Sequence, residues 1–473
     1  MDSKTTKACQ RAARPEREPM TKTNSLAPPH DAWQAAAGLL TQWVEKHERV
    51  DTLLAGLPPS LGRAGRAHCQ HLLFDAVRHA GRIEAALKPL LAHPPRAKLR
   101  AALLVTGGEL LDALGVGADA RARNKVDAEG KTARIVHHAV ERTKALASPA
   151  EARLVNAVAR KLAIVIAEQS APGEGATAAE LAEWFSHPAW LVQRWLVQFG
   201  VEKTRALLEW NQRNAPVYAR WRDLGSTPPA WLKPTKWGNF FDVPQGHWPE
   251  LETLLRAGKI YLQDPGARLA VELLAPKAGE TVLDLCAAPG GKSLLIADAM
   301  ATGPTPAGKL VALDLPGERI TRLAENLSRA GGLDVALVQG DVLFGAEKTL
   351  REHRLPEIYD AVLLDAPCSN TGVMRHRVDV KWRLQEGDFR KHATQQLALL
   401  HAAARLVGPG GRLVYSTCSL DTEENARVVT AFFESRAGGP FKLEKETMSY
   451  PWESGHDGAG LFLLRRAADG ERP

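Results

Sequence analysis

Two cysteines fifty positions apart, in Asp365-Ala366-Pro367-Cys368 and Ser416-Thr417-Cys418-Ser419, are the residues of this chain best placed for covalent chemistry. Each follows an apolar run that reads as a buried parallel strand, Ala361 to Leu364 and Arg412 to Tyr415. In a doubly wound sheet, reactive groups gather outside the carboxyl ends of the strands. Neighbouring strands lie about 4.8 Å apart, so both sulfurs could reach one group of substrate atoms. Either cysteine alone reads as a small buried hydrophobe. Together, beside Asp365, they suit a reaction that needs a nucleophile, an acid and a second thiol.

Methyl transfer to carbon 5 of cytosine is such a reaction, because that carbon is a poor nucleophile. A thiolate adding to carbon 6 turns the ring into an enamine that can attack a methyl donor. A carboxyl such as Asp365 can serve the ring nitrogen as charge develops there. The carbon 5 proton must then leave and the enzyme thiol be eliminated, and a second thiol can assist.

The donor site is expected at Asp284-Leu285-Cys286-Ala287-Ala288-Pro289-Gly290-Gly291-Lys292-Ser293, a glycine-bearing turn between a strand and a helix. Gly291-Lys292-Ser293 matches the end of a nucleotide triphosphate loop, but Cys286 stands where its first glycine belongs, and no Gly-x-Gly-x-x-Gly is present. Asp314 ends the next strand, where an acid can hold two ribose hydroxyls, and Asp341 in Gln339-Gly340-Asp341-Val342 could hold an adenine amino group. Carboxylates at successive strand ends suit S-adenosylmethionine better than a pyrophosphate, which they would repel. Each Asp taken singly also reads as a helix cap or turn residue.

Positioning these groups takes more than one domain: 473 residues suggest about three. Lys and Arg number 61 against 54 Asp and Glu, a net +7 that suits a polyanionic partner. Five widely spaced cysteines, Cys9, Cys69, Cys286, Cys368 and Cys418, show no zinc-ligand or redox-motif spacing, so free thiols in a reducing cytoplasm and no metal are expected. No secretory signal or membrane span is indicated.

Residues 1–30 are polar and proline-bearing and read as a disordered tail. From Asp31, a helix N-cap, apolar residues recur at helical spacing, and an all-helical domain is expected over 31–168. A linker follows at Gln169 to Gly175. Over 176–250, eight of the twelve tryptophans interleave with Arg194, Arg205, Arg213, Arg220 and Arg222. Such a segment can stack bases and hold phosphates, and tryptophans buried in a small core explain it equally. Over 251–473, strands at Thr281–Leu285, Lys309–Leu313, Val335–Val338, Tyr359–Leu364 and Gly411–Ser416 alternate with helices at Ser293–Met300, Glu318–Ala330 and Phe389–Val407. Late runs at Phe441–Leu443 and Leu461–Leu464 could close a mainly parallel, three-layer α/β sheet. Arg375, His376, Arg377 and Lys381, just past the first cysteine motif, are expected to form a basic RNA-contacting surface, or else a solvated charge run.

Leu283 to Lys292, Asp365 to Ser369 with Thr371-Gly372-Val373, and Tyr415 to Ser419 resemble the motifs of the RNA cytosine-5 methyltransferases. The helical region, with His187-Pro188-Ala189-Trp190 and Asn211-Gln212-Arg213, is similar to the bacterial small-subunit ribosomal RNA branch of that family, which carries a NusB-like domain. The resemblance implies an all-α NusB-like domain joined to a Rossmann-like class I methyltransferase domain with a seven-stranded sheet. It implies Cys418 as nucleophile and Cys368 as releasing thiol. It also places Cys286 to Lys292 with Asp314, Asp341 and Asp365 around S-adenosylmethionine, with Arg319 in support. The implied partner is RNA, chiefly ribosomal, and a monomer without an obligate protein partner is expected. The chain departs from the family pattern at Arg377-Val378-Asp379 and at Asp457-Gly458-Ala459, where RNA could be contacted. Three rival readings are an idle RNA-binding assembly factor, a transfer RNA enzyme, and a DNA cytosine methyltransferase with Cys368 as nucleophile.

Overall fold

The computed structural model describes residues 31–115, 125–301, 308–329 and 333–470. The expected tail and the expected helix end at Ala330 lie outside them. Asp31 caps the helix Ala32–Lys46, accepting from the Gln34 N–H at 2.9 Å. Helices Gly62–Arg78, Ala97–Leu114, Lys125–Leu146 and Pro149–Glu168 enclose a core around Trp33, Trp43, Leu73, Ile83 and Leu104. That core also takes Val378, with Trp382 packed against it, from the far half of the chain.

Gln169 to Gly175 forms neither helix nor strand, and is pinned by Arg82 to the Gln169 side chain at 2.9 Å and by Arg205 to the Pro172 carbonyl at 3.0 Å. Helices Ala178–Trp184 and Ala189–Gln212 follow. A small antiparallel sheet then joins β1 (Tyr218–Trp221), β2 (Lys233–Pro234), β3 (Phe240–Asp242) and β4 (Ile260–Leu262) in the order β2-β3-β1-β4. Its fourth strand lies past the boundary expected at residue 250.

The tryptophans of this connector are chiefly core and domain contacts. Trp195, Trp210 and Trp221 are buried, and only Trp248 of the eight is counted among the exposed large side chains. Their apolar area was better served by packing than by a free stacking platform.

The second half builds a seven-stranded sheet from β5 (Thr281–Leu285), β6 (Lys309–Asp314), β7 (Asp334–Gln339), β8 (Tyr359–Asp365), β9 (Val407–Thr417), β10 (Phe441–Ser449) and β11 (Ala459–Arg466), ordered β10-β11-β9-β8-β5-β6-β7. The pairs among β5 to β9 are parallel, while β10 and β11 are antiparallel. The parallel strands are apolar on both faces because helices cover both. The helix expected at Phe389–Val407 spans Asp388–Arg405, and β9 begins at Val407, four residues before the strand start expected at Gly411. Asp365 on β8 pairs with Ser416 on β9, which places the carboxyl ends of the two thiol-bearing strands side by side.

Candidate active site

From these paired ends the two cysteine loops run on together. The Ala366 N–H donates to the Ser416 carbonyl at 2.9 Å, and the Gly372 N–H to the Cys418 carbonyl at 2.9 Å. A Cβ on Gly372 would stand 2.8 Å from that carbonyl oxygen, so glycine lets the loops approach. The Cys368 and Cys418 sulfurs lie 3.2 Å apart. Cys418 also donates to Asn370 Oδ1 at 3.3 Å, and Asn370 donates to the Cys368 carbonyl at 2.7 Å while holding a left-handed φ of 63°. Nothing in the sequence marks Asn370 for this place beyond the tolerance of asparagine for that conformation. The Cys368 thiol is pushed well above its usual range by its hydrogen bond to Cys418 and by burial.

Beside the thiols, Lys292 Nζ donates to Asp365 Oδ2 at 2.6 Å, and Ser416 approaches Asp365 Oδ1 at 3.3 Å. Burial lowers the Lys292 pKa, but Asp365 outweighs it and the net shift is upward. Asp365, expected to serve a ring nitrogen, is therefore one half of an ion pair with Lys292 rather than a lone carboxyl.

A crevice of about 190 Å³ opens between β4 and the glycine-bearing turn, lined in part by Asp284, Cys286, Ala287, Ala288, Pro289, Gly291, Lys292 and Asp365. Tyr261 and Gln263, at the end of the small sheet, form its other wall and were not foreseen, since their strand lies outside any motif. Asp284 is fully buried, and its pKa is raised to about 7, first by burial. One of its oxygens accepts from the Ser293 hydroxyl at 2.5 Å, and the other, Oδ1, has no partner among the described residues. A free buried acceptor among carboxylates fits a cationic ligand such as a sulfonium amino acid. The same acids, after burial, push the Cys286 thiol up, which leaves it an inert wall residue.

The other expected contacts divide. Gly290 is not part of the crevice lining: it has φ 103°, and a Cβ there would meet Leu323 at 2.8 Å, while one on Gly291 would meet Gln263 at 2.8 Å. Protein packing alone therefore leaves little room for a Cβ at either glycine. Asp314 is buried at the end of β6, where it accepts from the Ala288 N–H at 2.7 Å and from the Leu315 N–H at 2.7 Å, and so shapes the turn itself. Arg319 stands 3.6 Å from it, mostly exposed. Asp341 accepts from the Leu343 N–H at 2.8 Å, a turn contact.

The basic surface expected after Cys368 is not a surface. Arg375 is buried with its guanidinium 3.9 Å over Trp210, and Lys381 is buried and donates to the Arg78 carbonyl at 2.8 Å. His376 pairs with Asp457 at 3.0 Å, joining the stretches next to both departures from the family pattern. Arg377 alone of the four keeps half its side chain exposed, and it pairs with Asp51 of the helical domain at 2.9 Å. Long cationic stems here bridge domains. His187 and Asn211, from the two connector motifs, meet at 3.2 Å and are both buried, with Asn211 3.9 Å from the Met374 sulfur.

Comparison with known proteins agrees with this geometry. The model of the family described as 16S rRNA methyltransferase RsmB/F matches residues 271–453. Ribosomal RNA small subunit methyltransferase B of Sodalis glossinidius is 30% identical over 423 residues, covering 87% of this chain and 90% of its own. The protein of the same name from Yersinia enterocolitica is 27% identical, covering 91% and 97%. The crystal structure titled PH0851 shares the fold at a TM-score of 0.69, with 23% identity, over 93% of this chain and 99% of that one. Thirty per cent identity across nine-tenths of a relative, with the family model lying over both thiols and the cofactor turn, makes this chain a member of the RsmB/F family of 16S rRNA methyltransferases.

Proposed function

We propose that the enzyme methylates carbon 5 of a cytosine in small-subunit ribosomal RNA, with Cys418 as nucleophile and Cys368 as releasing thiol. The 3.2 Å approach of the two sulfurs at paired strand ends carries the reading. S-adenosylmethionine is the cofactor and supplies an electrophilic methyl group. Asp284, Lys292 and the Cys286 to Gly291 turn would hold it, with Asp314 setting the turn's shape and Asp341 and Arg319 lying at or near the next strand ends.

Cys418, as thiolate, forms a bond to carbon 6, and the displaced ring electrons make carbon 5 nucleophilic. The Lys292–Asp365 pair meets the charge developing on the ring nitrogen. After methylation, Cys368 gives its own proton to solvent and, as thiolate, takes the carbon 5 proton; the electrons of that C–H bond re-form the ring double bond, and the C–S pair returns to Cys418 as thiolate. Both thiols, the acid pair and the cofactor turn come from one chain, which supports a monomer with a complete site. Free thiols this close suit a reducing cytoplasm. Among the described residues no helix is long and apolar enough to cross a membrane.

One denaturing gel with cofactor and cognate RNA tests the assignment. Cys418→Ala gives neither turnover nor adduct, whereas Cys368→Ala stops at elimination and accumulates a covalent protein–RNA species. An adduct in the Cys418 variant would instead support the DNA-type assignment, and an adduct in neither would remove the covalent mechanism. Bisulfite sequencing of RNA from a deletion strain locates the modified base and separates ribosomal from transfer RNA.

A further inference from the structure

Both thiol loops rest on one buried carboxylate. Glu424 ends the short turn Thr422–Glu424 after Cys418 and is fully buried. Its Oε1 accepts from the Ser369 N–H at 2.9 Å and from Gln396 Nε2 at 3.1 Å. Its Oε2 accepts from the Ser419 hydroxyl at 2.5 Å and from the Ser369 hydroxyl. Ser369 is the residue after Cys368 and Ser419 the residue after Cys418, so one side chain grips both loops next to the reactive positions. Gln396 also donates to the Pro367 carbonyl at 2.9 Å, and the Tyr415 hydroxyl fixes the Glu424 carbonyl at 2.6 Å.

Every one of these donors is neutral, and among the described residues no cation pairs with Glu424. A buried carboxylate without a counterion is strongly disfavoured in folding unless hydrogen bonds to the charged form replace its hydration. Neutral acceptors could join the loops at smaller desolvation cost. What a carboxylate adds is charge beside the thiols.

We propose that Glu424 is the positioning residue of the two-thiol centre: it sets the spacing of the Cys368 and Cys418 loops, and its charge makes Cys368 the thiol that acts second. This rests on the assignment of Cys418 and Cys368 above. After the Cys418 hydrogen bond, burial and the Cys418 charge, the Glu424 charge is a further cause of the upward shift at Cys368. Cys368 therefore holds its proton more tightly than an ordinary thiol, and its thiolate, once formed, is the stronger base for the carbon 5 proton.

The test uses the full chain and two charge-distinguished variants. In Glu424→Gln the pH midpoint for iodoacetamide labelling of Cys368, read by mass spectrometry, and the alkaline-rising limb of adduct decay both move down by about one pH unit. In Glu424→Asp the charge stays while the grip shortens, so the midpoint holds and kcat falls by up to about 100-fold with KM for RNA little changed. Ser419→Ala, which removes one donor and keeps the charge, lowers kcat in the same way and leaves the midpoint in place. Calorimetric binding of S-adenosylmethionine reports folding for each variant, because Glu424 does not line the cofactor crevice. An unmoved labelling midpoint in Glu424→Gln overturns the electrostatic role, and unchanged kcat in both Glu424→Asp and Ser419→Ala overturns the positioning role. Labelling needs no RNA and no turnover, so this result is independent of the adduct gel: a moved midpoint with no adduct in Cys368→Ala would place the failure in the thiol assignment alone.

Discussion

The molecule buries charge in two regions of opposite sign. Where the helical domain meets the segment 374–383, Arg78, Arg82, Arg375 and Lys381 are each at most 4% exposed. At the strand ends the buried groups are acids, Asp284, Asp314, Asp421 and Glu424. The cations reach carbonyl oxygens and ring faces, Lys381 the Arg78 carbonyl, Arg78 the Arg375 carbonyl at 3.4 Å and Arg82 the Trp184 ring at 3.7 Å, and Arg78 also pairs with Asp75 at 2.7 Å. The acids are held mainly by hydroxyls and amides on short loops, Asp421 also by Arg194 at 2.7 Å, and one oxygen of Asp284 is left over. Long stems with charged tips make joints between domains. Short carboxylates at strand ends instead fix the loops there, and of these four only Asp284 leaves an oxygen without a partner among the described residues.

The strongest way to break this contrast is at the joint. Trp382 donates to the Val77 carbonyl at 2.9 Å and packs edge-on to Trp43 with ring centres 6.4 Å apart. Trp382→Ala is expected to cost about 3 kcal/mol of stability and to separate the melting of the helical domain from that of the sheet, checked by calorimetry. A single unshifted transition would mean that the segment is not the joint.

The acid side responds next, with a pH signature. Folded Asp284 keeps its proton to about pH 7, while its ordinary value is 3.8. Between those values the folded state binds more protons than the unfolded one, so this group's contribution falls as pH rises through the window and stays low above it. Asp284→Asn should flatten that decline and, at pH 8, gain on the order of 2 kcal/mol, while weakening cofactor binding. Lys381 has the opposite sign: burial holds its pKa well below the usual range, so its contribution rises as pH rises towards the ordinary lysine value. Melting curves across pH for the two single variants separate the regions, and parallel slopes would remove the contrast.

The smallest effect lies at the rim. Arg377 and Asp51 are both at least half exposed, and Arg377→Ala should change stability by less than about 1 kcal/mol. If Arg377 meets RNA phosphate, the same variant lowers the log–log salt slope of RNA binding by roughly 0.7. Arg375→Ala should lower the melting temperature and leave the slope alone, because its guanidinium is packed on Trp210. A reduced slope in the Arg375 variant would show that this buried group reaches the RNA.

Much of the centre was legible from residue type and strand position. The two thiols, Asp365 and the Cys286 to Lys292 turn each follow an apolar run, and parallel sheets place such ends together. Less legible were contacts made across long separations. Lys292 was read as a cofactor ligand and proves to be also the partner of Asp365, 73 positions away. Gly290 and Gly291 were read as ligand contacts, and the neighbours that would meet a Cβ there, Leu323 and Gln263, come from distant segments that the turn's own sequence does not show. The run Arg375 to Lys381 looks like a solvated surface because pattern alone does not reveal that a second domain will cover it. Glu424 and Asn370 carry no periodicity, and their places emerge only once β8 and β9 lie side by side.

The path of the chain from Cys368 to Trp382 has a practical bearing on how the protein can be divided. Val378 sits inside the helical domain's core, and Trp382 lies against it. A fragment cut to the sheet half alone would carry Val378, Lys381 and Trp382 into water, a sticky apolar patch with an amine within it, ten to fourteen residues past Cys368. The two halves are modules in architecture but not in manufacture, and recombining them with foreign partners would require a new cover for that segment.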